Sequence, residues 1–169
     1  MSLMFHLFLH FFLSLLAGVI TWFFFGYQPI SFLAAFFGGV LIDVDHFIDY
    51  FIAFGRNFRL THFLKGYQFF KNDKIYVLFH GWEYVILLII VIVSIEVSGE
   101  SRALMWGVTI GAFFHLVTDC YINPGMSFKA YSFFYRYWKK FEIKELVTRE
   151  HYADHVLRYS QVKNILKNL

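Results

Sequence analysis

Four long apolar stretches dominate the chain, and short polar segments separate them. Each stretch can cross a hydrocarbon core about 30 Å thick as a helix of about 20 residues. The first has no basic segment ahead of its long apolar run, so we interpret it as an uncleaved span rather than a signal peptide. The pattern predicts an all-α fold, an integral membrane bundle of four transmembrane helices within residues 1–125, with helices near Leu3–Phe25, Pro29–Phe54, Ile75–Val97 and Ala103–Ile122.

The chain changes character after residue 125, where aromatic and basic residues alternate. This composition suits the headgroup region of an anionic leaflet. Apolar residues then recur at helical spacing near the end, so we predict that residues 126–169 form a cytoplasmic, basic tail with a partly amphipathic helix on the membrane or on the bundle. Basic aromatic segments also bind nucleic acid, but we find no nucleic-acid-binding motif and expect no such partner. The helical positions are Val162, Ile165, Leu166 and Leu169.

Composition and charge agree with a membrane class and indicate an orientation. Hydrophobic residues make up 59% of the 169 residues, and charged residues only 16%. Basic residues favour the cytoplasmic side. No Lys or Arg precedes Arg56, and the segment between the second and third spans carries five basic residues. We therefore predict a plasma or inner membrane protein with both termini in the cytoplasm. The five are Arg56, Arg59, Lys65, Lys71 and Lys74.

Ionisable residues interrupt the predicted spans, and eight of them form the candidate site. Charge inside a bilayer is costly, about 2.5–3.5 kcal/mol for a central Asp, and such groups usually mark a functional site. All eight are imidazoles or carboxylates, which bind zinc, manganese and iron. We therefore predict a divalent metal site, with zinc the first choice and more than one ion. The predicted ligands are His10, Asp43, Asp45, His46, His80, Glu83, His115 and Asp119.

The spacing of these residues predicts that they meet. At about 1.5 Å of rise per residue, all four sets lie about 6–16 Å from the cytoplasmic ends of their helices. Three of the four helices also carry a pair at i,i+3 or i,i+4, which shares one face. Asp45 is the exception, since it is two residues from Asp43, so one of the two is an outer-shell group or the helix is distorted there. The pairs are Asp43 with His46, His80 with Glu83, and His115 with Asp119.

These motifs resemble the membrane-bound metal-dependent hydrolases, a family also described as inner-membrane-associated, LexA-binding hydrolases. The family pattern has an N-terminal His, then Pro-Asp-x-Asp-His, then His-Arg-Gly-x-x-His, then His-x-x-x-Asp followed by Pro-Gly. Ile42 replaces the usual Pro here, and the third motif is reduced to His80 and Glu83. The matching residues are His10, Asp43, Asp45, His46, His115, Asp119, Pro124 and Gly125.

The family is remotely similar to zinc-dependent phospholipases C and single-strand nucleases, in which a carboxylate bridges metal ions. The resemblance implies a phosphoesterase that cleaves a lipid or lipid-linked phosphoester from the cytoplasmic leaflet. Asp45 would be the bridging carboxylate, and Glu83 or Asp43 would be the general base or an outer-shell partner. Glu83 or His62 would replace the missing ligand of the third motif. The implied terminal ligands are His10, His46, His80, His115 and Asp119.

Other interpretations stay open. The main alternative is a metal-binding membrane scaffold or regulatory protein without catalysis. A proton or cation conduit is disfavoured, because the outer half of each span lacks ionisable groups. We regard His6 and Asp49 as structural first, and His151 with His155 as a solvated helix face before a metal site.

Overall fold

The computed structural model describes residues 3–123 and 125–167, and these residues form α-helices joined by turns. Two short 3-10 helices, Leu41–Asp45 and Phe128–Tyr131, interrupt the series. No strand occurs in the described residues, so the all-α prediction is confirmed. The α-helices are α1 Leu3–Phe25, α2 Gln28–Gly39, α3 His46–Phe54, α4 Leu60–Leu64, α5 Tyr67–Asn72, α6 Trp82–Ser94, α7 Gly99–Ile122, α8 Phe133–Trp138, α9 Ile143–Leu146 and α10 Arg149–Lys167.

The chain divides into two compact units that do not follow chain order. The first unit contains the described residues up to Asp43 together with Phe79–Ile122. The second contains Val44–Leu78 and the described residues from Asn123 onward. The segment that follows the second predicted span thus belongs to the same unit as the C-terminal segment. The predicted division after residue 125 placed these two segments in different domains.

Two helices, α1 and α7, are long and apolar enough to cross a membrane. The segment predicted as a continuous helix from Pro29 to Phe54 is instead broken at Val40, and its two parts pass the same test only as a pair bent by 41°. Two glycines end α2, and glycine is a poor helix former, which gives a local reason for the break. The structure therefore supports two spans, or three with the bent pair, rather than clearly four.

The third predicted span is shorter than expected. Helix α6 begins at Trp82 and has 13 residues, about 20 Å of rise. The residues before it are not helical because other groups bind their backbone N–H groups: the carbonyl of Phe141 accepts from Ile75, and the carboxylate of Asp49 accepts from the next two residues. His80 thus precedes the helix, and the prediction that it shares a helical face with Glu83 is wrong.

Small residues let α2 and α7 of the first unit pack with their backbones in contact. A Cβ on Gly38 would overlap the backbone carbonyl of Val108, and one on Gly111 would overlap the carbonyl of Ala35. A Cβ on Gly107 would lie 2.6 Å from that of Ala34. Small residues at helix contacts are typical of membrane bundles, and α1 packs against both helices.

We expect Gly38→Ala to destabilise the first unit by about 1–3 kcal/mol, because overpacking a close contact forces the backbone to shift. On an open helix face the same change would stabilise by about 1 kcal/mol, so the sign is informative. Gly18→Ala is the comparison, because its Cβ would meet the side-chain ring of Phe32 rather than backbone, and we expect a smaller loss. Denaturant titration in mild detergent measures both, and equal or greater stability of Gly38→Ala would contradict this packing.

The outward surface of the first unit is strongly apolar. On α1, Phe8, Phe23 and Phe24 are 64%, 81% and 70% exposed, and on α6 Val93 is 70% exposed. Large apolar side chains on this scale are costly in water but fit a lipid environment. The surface of this unit, like the length of its helices, is therefore compatible with a membrane environment.

The second unit has its own aromatic core. Tyr50, Phe54 and Tyr67 pack with Leu166 of α10, and Val162 lies against them. Two positions of the amphipathic tail helix therefore pack within this unit, whereas Ile165 is 45% exposed. Leu169 lies outside the described residues.

Two contacts with Asp73 fasten α10 within the second unit. The hydroxyl of Tyr152 donates to Oδ2 of Asp73 at 3.1 Å, and Nε2 of His155 lies 3.1 Å from Oδ1. Burial lowers the pKa of His155, although the Asp73 carboxylate opposes this shift. The ring of His155 stacks on Phe70, so we interpret this histidine as a packing group and not as a metal ligand.

Two buried side chains, those of Asp49 and Arg136, bind the backbone at Tyr76 and Val77. The two oxygens of Asp49 accept their N–H groups at 2.8 and 2.9 Å. Arg136 is fully buried and donates from Nη2 to the carbonyl of Val77 at 2.9 Å and from Nη1 to that of Ala130 at 2.7 Å. Val77 has a φ of 31°, which is strained for a β-branched residue. These contacts offset that strain.

Candidate metal centre

The centre of the first unit is built on one face of α7. His115 and Asp119 are one helical turn apart, so both side chains point the same way. Both are buried, with side-chain exposures of 0% and 5%. The i,i+4 spacing predicted this pair correctly.

Asp119 faces four histidines through its two oxygens. Oδ1 lies 3.3 Å from Nε2 of His6 and 3.1 Å from Nε2 of His10, both on α1. Oδ2 lies 3.7 Å from Nε2 of His80 and 3.6 Å from Nε2 of His115. Each oxygen of this carboxylate therefore faces a different pair of imidazoles.

A second carboxylate faces the latter pair. Oδ1 of Asp43 lies 3.2 Å from Nε2 of His80 and 3.4 Å from Nε2 of His115. Those two nitrogens are 3.1 Å apart. Oδ1 of Asp43 and Oδ2 of Asp119 therefore each face the same two imidazole nitrogens, those of His80 and His115.

The imidazole of His115 is oriented by the backbone of α2. Its Nδ1–H donates to the carbonyl of Gly39 at 2.8 Å, which leaves the lone pair on Nε2, the atom that faces both carboxylates. Metal-binding histidines usually donate their other ring N–H to a carbonyl or a carboxylate in this way. The small residues of α2 and α7 bring that carbonyl close enough.

His10 gives a separate indication of a missing partner. It is 1% exposed, and among the described residues neither of its ring nitrogens makes a hydrogen bond of acceptable geometry. Its ring stacks on that of His115 at 3.9 Å. Nε2 still faces Oδ1 of Asp119 at 3.1 Å. A cation bound between these two atoms would satisfy Nε2, and a buried polar atom without a hydrogen bond is otherwise costly.

The distances between donors fit metal coordination. Donors bound at about 2.0–2.2 Å around a tetrahedral ion are about 3.3–3.6 Å apart, and the separations above run from 3.1 to 3.7 Å. Within the first unit, three overlapping sets have ligand atoms within 4.8 Å of one another. The buried cluster can therefore hold a metal ion. The sets are His6, His10 and Asp119; His10, Asp43 and His115; and His80, His115 and Asp119.

Five of the eight predicted ligands meet in this cluster: His10, Asp43, His80, His115 and Asp119. Glu83 lies in the first turn of α6 and belongs to none of the convergent sets found in the described part of the chain. Asp45 and His46 belong to the second unit, where Asp45 is buried and the ring of His46 meets that of Phe69 edge-on. Their metal-binding roles, and that of Glu83 as a base, stay predictions.

Three further candidate residues, His6, Asp49 and His62, have different surroundings in the structure. His6 belongs to the cluster, and its i,i+4 spacing to His10 was the signal for it. Asp49 binds backbone N–H groups of its own unit. His62 packs beside the ring of Tyr67, 5.2 Å away. Pro124 of the resemblance motif lies outside the described residues.

Comparison with family models, with curated proteins and with solved structures finds no match to this chain. Support for a function therefore comes from the geometry of the cluster and from the motifs.

Proposed function

We propose that this protein is a membrane-embedded, metal-dependent hydrolase that cleaves a phosphoester of a lipid or lipid-linked substrate at the cytoplasmic leaflet. The observation that carries the proposal is the convergence of four imidazoles and two carboxylates inside a unit with an apolar outer surface. The motifs of the membrane-bound hydrolases, which supply most of these residues, support the same chemistry.

We assign two metal positions that share Asp119. His6, His10 and Oδ1 of Asp119 serve one position, and His80, His115, Asp43 and Oδ2 serve the other. This gives Asp119 the bridging role that the resemblance implied for Asp45. Three protein donors are typical of a catalytic zinc site with an open coordination place, and four are typical of a closed structural site. The position with three donors is therefore the one we assign to catalysis.

The exposure of the ligands indicates where a substrate approaches. His6 and Asp43 have 22% and 23% exposed side chains, while the other four are at most 5% exposed. A phosphoryl group would thus enter between α1 and the 3-10 turn of Asp43. Bound divalent ions supply a water of lowered pKa and neutralise charge on the phosphoryl oxygens. Glu83, or Asp43 where it is not a ligand, is our candidate for proton acceptance.

The basic segment between Arg56 and Lys74 favours a cytoplasmic location for that part of the chain. We therefore keep the proposal that both termini are cytoplasmic and that the third apolar segment contributes a further, shorter membrane helix. Zinc is our first choice, with manganese and iron as alternatives, because imidazole and carboxylate suit all three.

The alternative is a metal-binding scaffold or regulatory protein without catalysis. The set with four protein donors favours it, because a closed site of that kind stabilises a fold and leaves no place for substrate. A chain in which both positions are closed would bind metal without turnover.

The test combines metal analysis with turnover. Protein purified in detergent, treated with chelator and reloaded with zinc, should hydrolyse a phosphodiester or a labelled phospholipid only when reloaded. His10→Asn should lose at least about 100-fold of that activity, since imidazole ligands are not replaced by amides, whereas His62→Asn should match wild type. Metal bound at full stoichiometry without hydrolysis of any phosphoester would favour the scaffold, and no bound metal would contradict both.

A further inference from the structure

Helix α8 has an unusual distribution of side chains. Phe134, Tyr137 and Trp138 are 69%, 67% and 74% exposed, and their i, i+3, i+4 spacing puts them on one face. Arg136 of the same helix is fully buried. A helix facing water would place the aromatic residues inside and the Arg outside. We call these three exposed residues the aromatic face.

The aromatic face is held rigidly. Arg136 anchors the opposite side of α8 through its hydrogen bonds to Val77 and Ala130, at 2.9 and 2.7 Å. The Ser132 side chain caps the helix by accepting from the backbone N–H of Tyr135 at 3.1 Å. The aromatic face is thus exposed because the guanidinium of Arg136 fixes the other side of the helix, and not because the helix is frayed.

Basic residues surround the aromatic face. Besides the buried Arg136, residues 128–146 contain four lysines and two glutamates, and the glutamates pair with Lys139 and Lys144. Lys129 and Lys140 are exposed, and the ammonium of Lys139 lies 5.1 Å from the ring of Trp138. Lys139 also pairs with Glu145 at 3.0 Å, so the net positive charge beside the face comes from Lys129 and Lys140. The surface combines exposed aromatic rings with net positive charge.

We propose that the aromatic face inserts into the headgroup region of an anionic membrane leaflet. Trp and Tyr favour this region because their rings are apolar and their polar atoms reach water, and each nearby lysine adds about 1 kcal/mol of attraction to anionic lipid. Helix α8 begins eleven residues after α7 ends at Ile122, so a short segment separates it in the chain from a membrane-length helix. The inference rests on the membrane part of the proposed function and not on catalysis.

The experiment measures the depth of nitroxide labels on the full chain in lipid nanodiscs. The single cysteine, Cys120, is first replaced by Ala, and one new cysteine is placed by Phe134→Cys or, as a second variant, Tyr137→Cys. Ser160→Cys on the exposed part of α10 is the water reference, and Phe23→Cys on α1 is the lipid reference. Relative collision rates with oxygen and with a water-soluble nickel complex report depth.

We expect residue 134 to be oxygen-accessible in discs with phosphatidylglycerol and several-fold less so after Lys129→Gln with Lys140→Gln. Collision rates typical of water at residues 134 and 137, with rates typical of lipid at residue 23, would overturn the insertion of the aromatic face. They would leave the membrane placement of α1 intact. Water-like values at 23 would overturn both. Dipolar broadening between labels on neighbouring copies, without lipid contact, would overturn it in favour of a second copy of the chain.

Discussion

Replacing Asp119 with asparagine is expected to weaken metal binding at both positions by at least about 100-fold. Loss of even an outer-shell partner costs about 10–100-fold in metal affinity, and this carboxylate faces four imidazoles at 3.1 to 3.7 Å. Asparagine has the same shape, so the helices should still pack. The amide, however, has no charge and only one oxygen for two positions.

Elemental analysis of the purified variant, with moles of each metal per chain, measures this effect. Asp154→Asn on the exposed side of α10 is the matched control and should bind as wild type does. Far-ultraviolet circular dichroism checks that the helices are intact. Full metal content in Asp119→Asn would refute the bridging assignment, while loss from the position of His6 and His10 alone would assign the other position to Asp43.

Arg136→Leu should destabilise the second unit by about 3–5 kcal/mol. Removing one partner from a buried charged contact is strongly destabilising, and here the carbonyls of Val77 and Ala130 would lose their donor. Val77 would also keep its strained φ without the contact that holds its carbonyl. We expect Arg136→Lys to recover only part of the loss, because an ammonium lacks the planar fork that reaches two acceptors.

Denaturant titration in mild detergent measures the free energy of unfolding of these variants. Arg158→Leu makes the same substitution at an exposed position of α10 and should change stability by less than about 0.5 kcal/mol. A similar stability for Arg136→Leu and Arg158→Leu would show that the buried guanidinium is not needed for folding.

The helical class and most of the cluster followed from local patterns. Long apolar runs decide helix and membrane class, because they bury no charge and need no distant partner. Imidazoles and carboxylates inside such runs are rare enough to mark the site, which is why His10, His115 and Asp119 were identified. Their meeting also depended on correct depths along α1 and α7, which regular helices provide.

The breaks in the helices were not predictable in the same way. The stretch before α6 is apolar enough to be helical, but Asp49 and Phe141 bind its N–H groups from positions distant in sequence. Only the fold brings those partners together. His80 therefore reached the cluster from a non-helical segment, and its helical pairing with Glu83 failed.

The burial of the Arg136 side chain also could not be predicted from the sequence. Arg136 lies in the segment of alternating aromatic and basic residues whose composition suits the headgroup region, yet it is fully buried. Nothing in the local pattern distinguishes it from Lys129 or Lys140. The acceptors of its hydrogen bonds are backbone carbonyls, which every residue has, so the sequence carries no signal for them.

Gly39 has two roles in the first unit. It lies where α2 meets α7, close to Ser14 and to the carbonyl of Gly111, and its own carbonyl fixes the ring of His115. The spacing of α2 and α7 and the orientation of the His115 imidazole therefore depend on the same residue. A change in the spacing of α2 and α7 would therefore also turn the His115 imidazole relative to the carboxylates of Asp43 and Asp119.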